Sequence, residues 1–214
     1  MIPNKIISDK IKVKVSIVGA TMGGKTTILS RMRYGVFNSD SIATVGASFV
    51  TLWKDNINYE VWDTAGQERY LSLIPMYFRD ARIVLYVFDV NVIESIKYIN
   101  KYKDILSDSS DIKIIVLGNK TDLLKEGEHS LEELTSEVYN NFENLMLTDK
   151  IHGLYFISAK DGNNFGKFLE HFYECGKTLS PSKPKLNNII IDDLYIKNQD
   201  EDVNTEVQDN NKCC

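Results

Sequence analysis

Residues 19–26, Gly19-Ala20-Thr21-Met22-Gly23-Gly24-Lys25-Thr26, carry the pattern G-x-x-x-x-G-K-[ST]. Each fixed position answers a chemical need. Glycines let successive backbone N–H groups turn inward around phosphate oxygens, the lysine reaches the terminal phosphates, and a hydroxyl holds Mg²⁺. An ordinary Gly-rich turn can carry the same letters, so the flanks decide. Upstream, Ile11-Lys12-Val13-Lys14-Val15-Ser16-Ile17-Val18 alternates and then runs apolar, as a strand entering a sheet covered on both faces does. Downstream, Ile28, Leu29 and Met32 fall on one helical face, with Gly35 as a natural stop. In a strand, glycine loop and helix of this kind, the loop amides and the helix N-terminus converge on one anion site.

Outward from the loop, residues 46–62 read as a hairpin with arms Ala47 to Trp53 and Ile57 to Trp62 and a turn at Lys54-Asp55-Asn56. The second arm ends in Asp63-Thr64-Ala65-Gly66-Gln67. A carboxylate at a strand end is placed to orient Mg²⁺ through a water, and the following glycine can offer its N–H to a terminal phosphate. Ile83 to Asp89 and Ile112 to Leu117 are apolar runs typical of central parallel strands. Between them Ile93, Ile96, Ile99 and Tyr102 are spaced for a helix over 92–106. The second run leads into Gly118-Asn119-Lys120-Thr121-Asp122. The Asp122 carboxylate can accept a pair of hydrogen bonds from N1–H and the 2-amino group of guanine, a pair that adenine does not offer. Leu131 to Leu145 reads as an amphipathic helix with an acidic outer side. Leu154 to Ile157 is a short strand followed by Ser158-Ala159-Lys160, and Phe165 to Cys175 is a closing helix with Phe165, Phe168, Leu169 and Phe172 in the core. Alternating strands and helices, with the polar motifs at strand C-termini, predict a parallel α/β sheet whose ligand sits at that edge.

Composition narrows the function classes. The chain of 214 residues suits one domain and a tail. Its net charge of −5, with no Lys/Arg cluster, gives no footprint for nucleic acid. Three cysteines, Cys175, Cys213 and Cys214, fit neither a disulfide framework nor a zinc site, which points to a reducing compartment. Cys175 reads as a small apolar residue at a helix end. His129, His152 and His171 have no ligand spacing, so the nucleotide's Mg²⁺ is the one metal implied. No signal-peptide run, no glycine at position 2 and no long apolar stretch occur, which predicts residence on the cytosolic side. From about Lys177 the composition turns polar, through Ser180-Pro181-Ser182-Lys183-Pro184, and a flexible tether is expected. Its apolar stretches, Ile189-Ile190-Ile191 and Leu194-Tyr195-Ile196, would dock on a partner or on the domain itself.

Gly19 to Thr26, Thr44, Asp63 to Gln67, Asn119 to Asp122 and Ser158 to Lys160, in this order, resemble the Ras superfamily of small GTPases over residues 11–176. Trp62 to Tyr70, Pro75-Met76-Tyr77-Phe78-Arg79 and Thr44 to Phe49 look like the Rab family and its endosomal, early-endosome-like branch. The resemblance implies a P-loop NTPase G domain, with a mostly parallel six-stranded sheet, one antiparallel edge strand and helices on both faces. Residues 1–10 would be an N-terminal extension, 11–176 the G domain, and 177–214 a hypervariable tail ending in Cys213-Cys214.

By the same resemblance, Gly19, Thr21, Met22, Gly23, Gly24, Lys25, Thr26 and Thr27 cradle the phosphates of GTP or GDP, and Phe37 packs on the guanine face. Thr26 and Thr44 hold Mg²⁺, with Asp63 acting through a water. Gly66 contacts the γ-phosphate, and Gln67 orients the attacking water, so that Lys25, Thr44, Gly66 and Gln67 form the catalytic set. Asn119, Lys120, Asp122 and Leu123 bind the base, supported by Ser158, Ala159 and Lys160. Phe49, Trp62 and Tyr77 present an effector surface, and Cys213 and Cys214 carry two geranylgeranyl groups.

The implied partners are an exchange factor, a GTPase-activating protein, a GDP-dissociation inhibitor or escort protein, and membrane-tethering effectors. The protein would act as a monomer on the cytosolic face of an endosome or other vesicle, cycling with the cytosol in vesicular, endocytic transport. No catalytic arginine is evident in the chain, so intrinsic hydrolysis should be slow. The chain departs from the family pattern at Met22-Gly23, where the permissive glycine has moved by one position. Its hairpin is short, and the stretch from Asp122 to Ser158 is long. An unusual φ at the fourth loop position would leave Met22 strained. Two other readings stand beside the switch. One is a nucleotide-binding scaffold, a pseudo-GTPase with little hydrolysis; the other is an ATP-dependent P-loop phosphotransferase or ATPase, against which Asp122 and Phe37 speak.

Overall fold

The computed structural model describes residues 11–37, 44, 46–66, 73–109, 111–125 and 129–179. All belong to the first of two compact units, Met1–Ser182; the second, Lys183–Cys214, lies outside the described residues. The expectations for Gln67, Cys213, Cys214, the N-terminal extension and the apolar tail stretches also lie outside them.

The elements in chain order are β1 (Ile11–Gly19), α1 (Lys25–Tyr34), β2 (Ala47–Lys54), β3 (Ile57–Thr64), α2 (Ile74–Phe78) and β4 (Ile83–Asp89). A 3₁₀ helix (Ile93–Lys101) and α3 (Lys103–Asp108) follow, then β5 (Lys113–Asn119), α4 (Leu131–Met146), β6 (Ile151–Phe156) and α5 (Phe165–Lys177). The strands form one six-stranded sheet in the order β2-β3-β1-β4-β5-β6. Only the β2–β3 pair is antiparallel. The fold class read from the sequence is therefore observed, edge strand included.

Both faces of the central strands are covered, which is why β1, β4 and β5 read as nearly continuous apolar runs. Val13, Val15, Ile17, Leu85 and Leu117 face α1 and α5, which contribute Ile28, Leu29, Phe168 and Phe172. Val18, Val84, Tyr86, Ile114 and Val116 face the other side, where Ile96, Ile99, Leu134, Val138 and Phe142 pack. Cys175 is buried in the first core, as a small apolar residue there should be.

Several boundaries differ from the sequence reading, two of them for a clear local reason. The hairpin turn is only Asp55-Asn56, both at positive φ, while Lys54 still pairs with Ile57; Asp and Asn tolerate the left-handed conformation that a two-residue turn requires. The expected helix over 92–106 is wound as 3₁₀ through Lys101 and becomes α only from Lys103. Ile93, Ile96, Ile99 and Tyr102 recur every third residue, which matches 3.0 residues per turn better than 3.6. Strand β6 begins at Ile151 and stops at Phe156, leaving Ile157 buried just beyond it. Helix α5 runs to Lys177, past Cys175, and the next turn buries Leu179.

Because β1, β3, β4, β5 and β6 run parallel, their C-terminal ends share one edge. Register places Gly19 beside Val87, Asp89 beside Asn119, and Gly118 beside Phe156. The motifs scattered through the sequence thus open onto a single crevice, where β1 is flanked by strands on opposite sides in the connection order.

Candidate nucleotide site

At the phosphate end, the loop after β1 delivers Lys25 as the first residue of α1. Lys25 is buried, and its Nζ donates to the carbonyl oxygens of Gly19 (3.2 Å) and Ala20 (2.9 Å). Burial lowers its pKa to about 8, against the opposing pull of Asp63. A lysine held this way is a cation satisfied only by neutral carbonyls, poised to take an anion.

Gly24, at φ 92°, opens the helix, and a Cβ there would run into Nδ2 of Asn119. Met22 takes the left-handed conformation (φ 63°) and is 80% exposed, whereas Gly23 is not among the positive-φ residues. The strain anticipated at Met22 is therefore present in the backbone, and the glycine beside it does not relieve it. Thr21 is exposed, and Thr27 is half-buried on α1.

Three oxygens converge beneath the loop. The Thr26 hydroxyl donates to Asp63 Oδ2 at 2.6 Å, Thr44 donates to the same oxygen at 3.2 Å, and the two hydroxyl oxygens are 2.7 Å apart. Asp63 lies within β3, one residue before its end rather than beyond it, and is fully buried. Its other oxygen, Oδ1, has no hydrogen-bond partner among the described residues. Burial pushes the carboxyl pKa up, only partly offset by Thr26, Lys25, Thr44 and the neighbouring Ser48 hydroxyl. Two hydroxyls and a buried carboxylate with an orphaned oxygen form a hard-oxygen set that fits Mg²⁺. Gly66 closes this end: a Cβ there would lie 2.6 Å from both Lys25 Nζ and Thr21 N.

At the other end, the loops after β5 and β6 are tied together. Asn119 Nδ2 donates to the Gly23 carbonyl (3.0 Å), and its Oδ1 accepts from Ala159 N (3.0 Å), so one buried side chain joins the phosphate loop to the base loops. Ser158 Oγ donates to Asp122 Oδ1 (2.7 Å) and accepts from the N–H groups of Lys160 (3.2 Å) and Asp161 (3.1 Å). Lys160 Nζ stands 3.8 Å from Asp122 Oδ2. Lys120, at φ 71°, pairs with Asp89 Oδ2 at 2.8 Å. Burial pushes the Asp89 carboxyl up, but the bonds from Lys120 and Asn91 outweigh it and hold its pKa below the ordinary value. Leu123 and Phe37 both remain exposed.

A family model for the Ras family matches residues 14–178. The chain belongs to the Ras family. Members of this GTPase family bind guanine nucleotides, typically with Mg²⁺, hydrolyse GTP, and work with exchange factors, activating proteins and effectors. In this GTPase, Lys25, Thr26, Thr44 and Asp63 meet at one end of the crevice, and Asn119, Asp122, Ser158 and Ala159 meet at the other.

Phe49, Trp62 and Tyr77 also meet, with ring centroids 5.1 Å apart for the first pair and 6.1 Å for the second. Phe49 is 50% exposed and Tyr77 only 5%, so the trio shows its Phe49 end to solvent.

Several residues escaped the sequence reading. Arg31 of α1 donates from Nη1 to the carbonyls of Ala159 and Lys160, both at 3.0 Å, and lies over the Phe165 ring at 5.5 Å. Lys14 donates to Met76 O (3.1 Å) and Arg79 O (2.7 Å) and approaches the Trp62 ring at 5.6 Å, fastening α2 to β1. Neither has a sequence signature, because each acts through distant backbone carbonyls. Asp89 had one: a carboxylate closing an apolar strand on the ligand edge.

Proposed function

We propose that this GTPase is a Rab-like switch that recruits effectors to intracellular membranes in endocytic transport. The observation that supports this most is the contiguous Phe49–Trp62–Tyr77 trio, which links β2, β3 and α2. In this reading Thr44 and Gly66 hold the two switch segments toward the γ-phosphate, and its loss lets them relax and dissolves the effector surface. Thr26 and Thr44, with Asp63 behind them, hold Mg²⁺, which when bound offsets charge on the β- and γ-phosphates. Lys25 leaves its carbonyl partners for those phosphates, Gln67 orients the attacking water, and Asp122 reads guanine. Among the described residues no arginine reaches the phosphate end, and in this reading the chain turns over slowly until an activating protein supplies up to about 10⁵-fold.

Geranylgeranyl groups on Cys213 and Cys214 anchor the protein, since two chains bind a bilayer firmly where one does so only marginally. The full-length protein should reside on endosomal membranes, and the variant carrying Cys213→Ser with Cys214→Ser should be cytosolic; membrane residence of that variant would contradict the anchor.

The left-handed Met22 favours a second reading, a nucleotide-binding scaffold with little hydrolysis. Single-turnover GTP hydrolysis separates the two. The switch requires measurable turnover that Gln67→Leu abolishes, and the scaffold requires none.

A further inference from the structure

Tyr98 lies outside every motif, yet its hydroxyl donates a 3.0 Å hydrogen bond to the carbonyl oxygen of Gly66. The ring is held before that bond is made. In a 3₁₀ helix side chains three residues apart eclipse. Lys101 therefore stacks on Tyr98, with Nζ 3.9 Å from the ring centroid. Tyr102 meets the ring edge-on at 5.9 Å, and is itself buried against Phe78 and Tyr86. The hydroxyl thus projects from a rigid base on the core of the sheet.

Gly66, its partner, lies close against the phosphate loop. A Cβ at Gly66 would fall 2.6 Å from Lys25 Nζ and Thr21 N. Glycine has the widest backbone freedom of any residue, so this point of the chain will not stay against the loop unaided. Fixing its carbonyl removes much of that freedom and with it the wandering of the N–H on the same residue. In the same structure Thr44 lies beside Thr26 and Asp63, so the Tyr98 bond coexists with an inward-facing Thr44.

We infer that Tyr98 is a positioning residue that holds Gly66 against the phosphate loop and so raises the protein's preference for the nucleoside triphosphate over the diphosphate. This rests on the reading of Gly66 as a donor to the terminal phosphate. A bond formed only when Gly66 is in place favours whichever ligand uses Gly66, and the diphosphate has no group there.

Tyr98→Phe keeps the ring and its stacking on Lys101 and removes only the donor. In the full chain with Mg²⁺, a non-hydrolysable GTP analogue is competed against GDP. Loss of one neutral hydrogen bond should lower the preference for the analogue about fivefold. The Kd for GDP and the thermal midpoint should stay at their wild-type values, which a merely structural role would not allow. Gly66→Ala is measured alongside and should lower the same preference. A Tyr98→Phe protein with unchanged preference, or with both nucleotides weakened equally, overturns the inference while Gly66→Ala still reports on Gly66. A Gly66→Ala protein with wild-type preference removes the terminal-phosphate reading, and the inference falls with it.

Discussion

The two ends of the crevice are built on opposite plans. At the base end the recognition groups are already spent on one another: Asp122 on Ser158, Lys120 on Asp89, and Asn119 on Gly23 and Ala159. At the phosphate end the groups are buried and poorly matched. Lys25 has only carbonyls, Asp63 keeps an orphaned oxygen, and their pKa values move toward the neutral forms. Pre-paired groups give a rigid reader whose shape does not depend on what else is bound. Mismatched buried charges make an unstable arrangement that ligand completes, and such an arrangement responds when one phosphate is lost. The contrast supports the reading in which recognition lies at one end and switching at the other.

The largest effect should come from severing the two ends. Asn119→Ala removes two buried hydrogen bonds and leaves the Gly23 carbonyl and Ala159 N–H unpaired, a loss of about 2–4 kcal/mol. Guanine-nucleotide affinity should fall on the order of 100-fold, and the thermal midpoint should drop even without nucleotide. An unchanged midpoint would show that the ends are not joined through this residue.

Lys25→Met should divide affinity from stability. Nucleotide affinity should fall about 100-fold, while the nucleotide-free protein should be no less stable, because a buried cation with neutral partners is costly to keep. The pH dependence follows from the same burial. With its pKa lowered to about 8, Lys25 is charged below that pH and neutral above it. Phosphate favours the charged form, so binding above pH 8 requires proton uptake, and affinity should fall as pH rises through about 8, by up to about tenfold per unit. The dependence should vanish in Lys25→Met; its persistence there would assign the titration to another group.

The smallest effect should follow Met22→Gly. Relief of a left-handed non-glycine residue is worth about 1 kcal/mol, seen as a modest rise in thermal midpoint and altered nucleotide dissociation or hydrolysis. Wild-type rates in the variant would show that Met22 has no bearing on the loop's function.

This asymmetry also explains what was legible in the sequence. The strands and the motif-bearing loops could be read because parallel strands buried on both faces leave apolar runs, and their C-terminal ends leave short polar signatures such as Asn119 to Asp122. The supports could not. Arg31, Lys14 and Tyr98 act on backbone carbonyls 128, 62 and 32 residues away, where no local pattern encodes the partner. The stretch 93–102 was legible as helical but not as 3₁₀, because a three-residue recurrence also falls on one face of an α-helix over so short a span. That distinction matters, since the 3₁₀ winding is what stacks Lys101 on Tyr98.

The division between a fixed reader and a ligand-completed switch is tested most directly by amide hydrogen exchange, comparing the full chain with Mg²⁺ and GDP against the same chain with Mg²⁺ and a non-hydrolysable GTP analogue. Protection should rise around Thr44 and across Thr64 to Gly66 with the analogue, while Asn119 to Asp122 and Ser158 to Lys160 exchange alike in both states. Equal changes at both ends, or changes confined to the base loops, would contradict it.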